Sequence, residues 1–246
     1  MNRSYRTRKS ACIPSLFRYP AKGRFLNMLI PLRDENPTRI TPYINYALVA
    51  ANALIFIYEL TLPHRAQAAL ATTYGTVPSR FVHALAGHGN LEAAVIPLFT
   101  SMFLHSGPAH LLGNMLFLWI FGDNVEEFFG HFGYFLFYIF CGLASGLTHI
   151  AFNLTNSVPA VGASGAISGV LGAYILLYPT NRILTLILIF LVPLPAFVIL
   201  GYWFLLQFAA GVSSFGSAAT GGVAWWAHIG GFLTGLLITA AVRRKT

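Results

Sequence analysis

The sequence predicts an all-α membrane protein, a polytopic bundle of six transmembrane helices with both termini in the cytoplasm. Three observations carry this. Only 9% of the 246 residues are charged and 56% are hydrophobic, whereas a soluble domain carries about 25% charged residues. Apolar stretches of spanning length, about 20 residues each, recur along the chain. The basic residues collect at the ends: nine of the fifteen Lys and Arg precede residue 40, and Arg243, Arg244 and Lys245 close the chain. Basic ends facing the cytoplasm require an even number of spans. A pI of 9.8 would also suit nucleic acid, but no basic residue is interleaved with the core aromatics, so no nucleic-acid partner is expected.

Residues 1–40 read as a basic cytoplasmic tail. Its acid-free first 27 residues equally fit an organelle transit peptide, or a chain that truly starts at Met28. The membrane domain is expected over 41–242, with residues 243–246 as a basic cytoplasmic end. Span one is expected at 44–61, after Pro42 and Tyr43. A loop over about 62–93 follows, too long for a plain connector and too apolar for a linker. It is expected to be structured, partly embedded and to carry short amphipathic helices on the outer face. Span two covers about 107–121, with 94–104 as its outer approach and Pro108 suited to a first helical position. Span three is placed at 133–152, span four at 160–178, span five at 194–212 and span six at 222–241. The apolar run 183–191, interrupted by Pro193 and Pro195, reads as a cytoplasmic connection. The alternative is one kinked helix over 183–210. Cys12 and Cys141 give no disulfide framework.

Polar residues inside spans are expensive and mark candidate sites. With the N-terminus inside, spans two, four and six all begin on the outer side. Their first turns carry His110 and Asn114, Ser164, and His228. At about 1.5 Å per residue these groups lie at similar depth. Gly165-xxx-Gly169 and Gly231-xxx-Gly235 are small-xxx-small faces that let membrane helices touch backbone to backbone. Such contact would bring Ser164 to His228, and a serine needs a neighbouring base to act as a nucleophile. No carboxylate lies nearby in either span, so the expected arrangement is a dyad oriented by packing. His110 and Asn114, one turn apart, and the Ser164 N–H are the expected oxyanion donors. His105 and His110 do not read as a metal pair, because only His228 would join them at that depth.

At these residues the chain resembles the rhomboid family of intramembrane serine proteases. The resemblance rests on GASGA around Ser164, AHIGGFLTG around His228, HSGPAHLLGNMLFLWIFG over 105–122 and the lead-in IPLRDENPT, and covers about 28–242. It implies Ser164 as nucleophile, His228 as general base, and His110 with Asn114 on the oxyanion side. Gly162, Gly165, Gly231 and Gly235 support these motifs, and His105 matches a histidine at the outer start of span two. Glu126 resembles the family's structural glutamate on the cytoplasmic side. Several family members stack an aromatic under the histidine, four residues after the nucleophile. Here that position is Ser168, with Trp225, Trp226 or another aromatic as the substitute. The Trp-Arg pair of some members' long loop is absent.

The function expected is intramembrane serine endopeptidase activity, on peptide bonds in or beside transmembrane segments of membrane proteins, without metal or cofactor. Its partners are the lipid bilayer and transmembrane substrates. An inactive rhomboid-like protein that binds membrane helices is the alternative. A transporter would need polar groups on both sides of the midplane or an inverted repeat, and the sequence has neither. The expected location is a bacterial cytoplasmic membrane, with an organelle left open by the basic N-terminus.

Overall fold

A computed structural model describes residues 29–214 and 223–244. The expectations for residues 1–28, Lys245 and the first residue of span six lie outside them. Among the described residues, the order is strand β1 (Leu29–Asp34), helices α1 (Tyr43–Thr61), α2 (His64–Tyr74), α3 (Pro78–Leu85), α4 (Leu91–Thr100), α5 (Pro108–Phe129), α6 (His131–Ala151) and α7 (Ser164–Leu177), strands β2 (Arg182–Ile187) and β3 (Phe190–Pro195), and helices α8 (Ala196–Ser213) and α9 (Trp225–Arg243).

Among the described residues, α1, α6, α8 and α9 are long and apolar enough to cross a membrane. The other two expected spans depart from that pattern for separate reasons. α5 has 22 residues but carries Asp123, Asn124, Glu126 and Glu127 in its last turns. α7 has 14 residues, about 21 Å of helix, because Val161 to Ala163 approach it as irregular chain. It is the centre of the bundle: Gly165 to Tyr174 are all buried, and it packs on α9, α6 and α5.

The glycines set the closest of these contacts. A Cβ at Gly231 would collide with the Gly165 carbonyl oxygen, and one at Gly235 with the carbonyl of Gly169. The two small-residue faces thus interlock, with the carbonyls of α7 seated on the bare backbone of α9. Gly165 also faces Ser145 of α6, whose hydroxyl would overlap any side chain there.

Glu126 lies within α5 rather than after it, fully buried. Its carboxylate accepts hydrogen bonds from the backbone N–H of Ile44 (3.0 Å) and Asn45 (2.7 Å), and from His131 Nδ1 at 2.5 Å. It therefore caps the N-terminus of α1 from a neighbouring helix, satisfying two of the donors every helix start leaves open. Asn45 extends the link, donating to Leu118 O and accepting from the Tyr134 hydroxyl.

The helical expectation holds, and one small sheet is added to it. The run 183–191 connects α7 to α8 and is not part of a helix, but it is structured: β2 and β3 form a hairpin, and β1 pairs antiparallel with β2, giving a sheet of order β1-β2-β3. Pro193 and Pro195 sit in β3, an edge strand, where a missing N–H costs no ladder bond. Residues 29–34, expected as part of a tail, are thus built into the fold. Asp34 accepts from the Tyr174 hydroxyl of α7 at 2.8 Å, and Asn36 O accepts from Asn124. The hairpin turn exposes Leu188, Ile189, Phe190 and Leu191.

Short helices α2 and α3 lie within the expected loop, while α4 falls mostly on the stretch expected as the outer approach to span two. Arg80 of α3 donates to the Thr72 and Gly75 carbonyls at the end of α2. Thr76 pairs with Ala160, and its hydroxyl is 3.0 Å from that of Ser101. The loop is thereby tied to the irregular chain that leads into α7.

Candidate active site

Ser164 is the first residue of α7 and His228 stands in the first turn of α9. Because glycine at both helix faces removes the side chains that would separate them, the two meet: His228 Nε2 is 2.8 Å from Ser164 Oγ. Ser164 is half-buried and His228 is buried. The serine therefore has a hydrogen-bonded base, the requirement for a nucleophilic hydroxyl.

His110 and Asn114 of α5 approach the same place through Gly162. That glycine has φ +131°, in the region that favours glycine, and a Cβ there would lie 2.7–2.8 Å from His110 Cε1 and Nε2 and 3.6 Å from Asn114 Nδ2. His110 Nδ1 is 3.0 Å from Ser106 Oγ. If that serine donates, the Nε2 of His110 carries the proton and can itself donate. Asn114 Nδ2 donates to His105 Nε2 at 3.0 Å, which places His105 behind Asn114.

Sequence reasoning missed two side chains here. Glu59 of α1 is buried and accepts from the His105 backbone N–H at 3.3–3.4 Å, fixing the lead-in to α5. Gln207 of α8 is buried, with its Oε1 2.7 Å from His228 Nδ1. Both are polar residues in apolar helices, and that was the signal available. The imidazole of His228 is thus hydrogen-bonded to a side chain on a third helix as well as packed.

The aromatic beside the histidine also comes from α8. The ring of Trp203 lies 5.8 Å from that of His228, tilted by 35°, while Trp225 meets it edge-on at 6.5 Å. Trp226 instead stacks on Phe152 at 4.0 Å. Ser168 turns back on its own helix, donating to Ser164 O at 2.6 Å. A cavity of about 40 Å³ beside Ser164 is bordered by Thr76, Ser101, Ser145 and His149, polar enough and large enough for water.

Comparison with known proteins identifies the family. Residues 92–245 match the family model described as Rhomboid domain. The chain is 27% identical over 234 residues to Rhomboid protease GluP of Bacillus subtilis (strain 168), covering 90% of this chain and 40% of the relative. It is 32% identical over 159 residues to Rhomboid protein 1, mitochondrial, of Saccharomyces cerevisiae, covering 61% of this chain and 44% of that one. It is 34% identical over 144 residues to Rhomboid-like protein 11, chloroplastic, of Arabidopsis thaliana, covering 56% and 49%. The chain therefore spans less than half the length of these relatives. It is an integral membrane protein, and the domain match over more than half of its length means that it belongs to the rhomboid family.

Proposed function

We propose that this protein is an intramembrane serine endopeptidase that cleaves peptide bonds in or beside the transmembrane segments of other membrane proteins. The observation that carries the reading is the 2.8 Å contact between His228 Nε2 and Ser164 Oγ at the starts of two interlocked helices. On this reading α5 and α7 cross the membrane with α1, α6, α8 and α9, making six spans with both ends in the cytoplasm. Ser164 Oγ attacks the scissile carbonyl as His228 Nε2 takes its proton. The oxyanion is held by His110 Nε2–H, the Asn114 amide and the Ser164 N–H. His228 then protonates the leaving amine, and water hydrolyses the acyl-enzyme. A helical amide is hydrogen-bonded and shielded, so substrates with Gly, Pro or small polar residues near the cut are favoured. The chemistry asks for no metal or cofactor. A bacterial cytoplasmic membrane fits the basic ends, and relatives named as mitochondrial and chloroplastic make an organelle membrane the competing location.

The test is cleavage of a generic type I single-span protein in liposomes by the parent, Ser164→Ala and His228→Ala, with fluorophosphonate labelling in parallel. Cleavage and labelling by the parent alone are expected. A Ser164→Ala variant as active as the parent would end this reading. A folded parent that neither cleaves nor labels would support a rhomboid-like protein that only binds membrane helices.

A further inference from the structure

Two side chains of α8 lie against the imidazole of His228, and the mechanism above uses neither. Trp203 and Gln207 are four residues apart, hence on one face of the helix. Gln207 is the one side-chain amide in AFVILGYWFLLQFAAGVS and is buried. A buried amide in a membrane helix is costly unless bonded, and its bond goes to His228 Nδ1 at 2.7 Å.

The direction of that bond decides the state of the ring. An amide oxygen can only accept, so Nδ1 is the nitrogen that carries hydrogen. In a neutral imidazole Nε2 is then bare, and Nε2 is the nitrogen 2.8 Å from the Ser164 hydroxyl. This is the tautomer a general base needs. When Nε2 takes the serine proton, the Nδ1–H bond to Gln207 becomes charge-assisted and so stronger. Trp203, tilted by 35° over the ring, limits its rotation.

We propose that Gln207 is a positioning residue that holds His228 in its proton-accepting tautomer, so that α8 completes a site whose reacting groups stand on α7 and α9. The proposal rests on reading Ser164 as nucleophile and His228 as base. It differs from a dyad oriented by packing, because it makes one hydrogen-bond acceptor on a third helix necessary for the rate.

The experiment uses the full chain in detergent or liposomes. Histidine-¹⁵N NMR of the parent, with the His228 signal assigned by its loss in His228→Ala, reads the tautomer directly. An Nδ1–H signal is expected, and an Nε2–H signal would overturn the proposal without any Gln207 variant. Gln207→Met fills similar space without an acceptor. It is expected to keep the melting temperature and KM while lowering kcat about 10- to 100-fold and losing the single tautomer. Gln207→Glu restores an acceptor and is expected to recover most of the rate, which a space-filling role would not predict. Gln207→Leu is measured alongside in case the Met variant fails to fold. A folded Met or Leu variant with the parent's kcat and His228 signal overturns the proposal, while Ser164→Ala inactivity leaves the protease reading standing. A parent that neither cleaves nor labels with fluorophosphonate removes both.

Discussion

Gly162 shows how single atoms set the site. Its φ of +131° and the His110 ring packed on its bare backbone leave no room for a side chain. Gly162→Ala is therefore expected to lower stability by about 1–3 kcal/mol, read as a drop in melting temperature, and to slow cleavage by displacing His110. Asn114→Ala tests the oxyanion side more directly: a loss of about 10²–10³ in kcat with little change in KM is expected for one lost donor. Ser164 and His228 were legible in the sequence because each carries glycine spacing that announces a close helix contact. Gln207 and Glu59 were not, since neither belongs to a spaced motif. The rule that a polar residue in an apolar span has a partner points to both of them, but it names no partner.

Between elements, stability turns on the interlocking backbones of α7 and α9. Gly231→Val is expected to force the two helices apart and abolish both folding and cleavage, because its side chain would overlap the Gly165 carbonyl. Gly201→Ala on α8 is the matched control, with open space where its Cβ would lie. Protease resistance of the two variants separates these outcomes. Glu126→Ala leaves the buried Asn45 N–H and the part-buried Ile44 N–H of α1 without an acceptor, at an expected cost of about 1–3 kcal/mol for the buried one, read as a lower melting temperature. The helices were legible from apolar length, with expected spans overlapping α1, α6, α8 and α9 closely, while span two stopped eight residues short of the end of α5, where its acidic residues lie. The sheet was not. β2 and β3 are apolar runs without alternation, their prolines argue against a strand until its edge position is known, and β1 finds its partner some 150 residues away.

Across the whole molecule, β1 ties the start of the described chain to the central helix through Asp34 and Tyr174. Burial raises the Asp34 carboxyl above its ordinary pKa, and the hydrogen bond from the Tyr174 hydroxyl lowers it only in part. The fold thus favours neutral Asp34. This contribution to stability is full below the unfolded carboxyl pKa and is lost as pH rises through the folded one. Asp34→Asn, which keeps an acceptor for Tyr174, is expected to match the parent near pH 4 and to melt higher near pH 7. The short central helix has a consequence of another kind. At about 21 Å, α7 falls roughly 9 Å short of a 30 Å hydrocarbon layer. If its cytoplasmic end is level with the inner edge, Ser164 sits that far beneath the outer one, and α7 works as a ruler. Sliding a helix-breaking glycine along a substrate one residue at a time would then give a peak of cleavage about six residues inside the bilayer. Lengthening the lipid acyl chains would move that peak deeper.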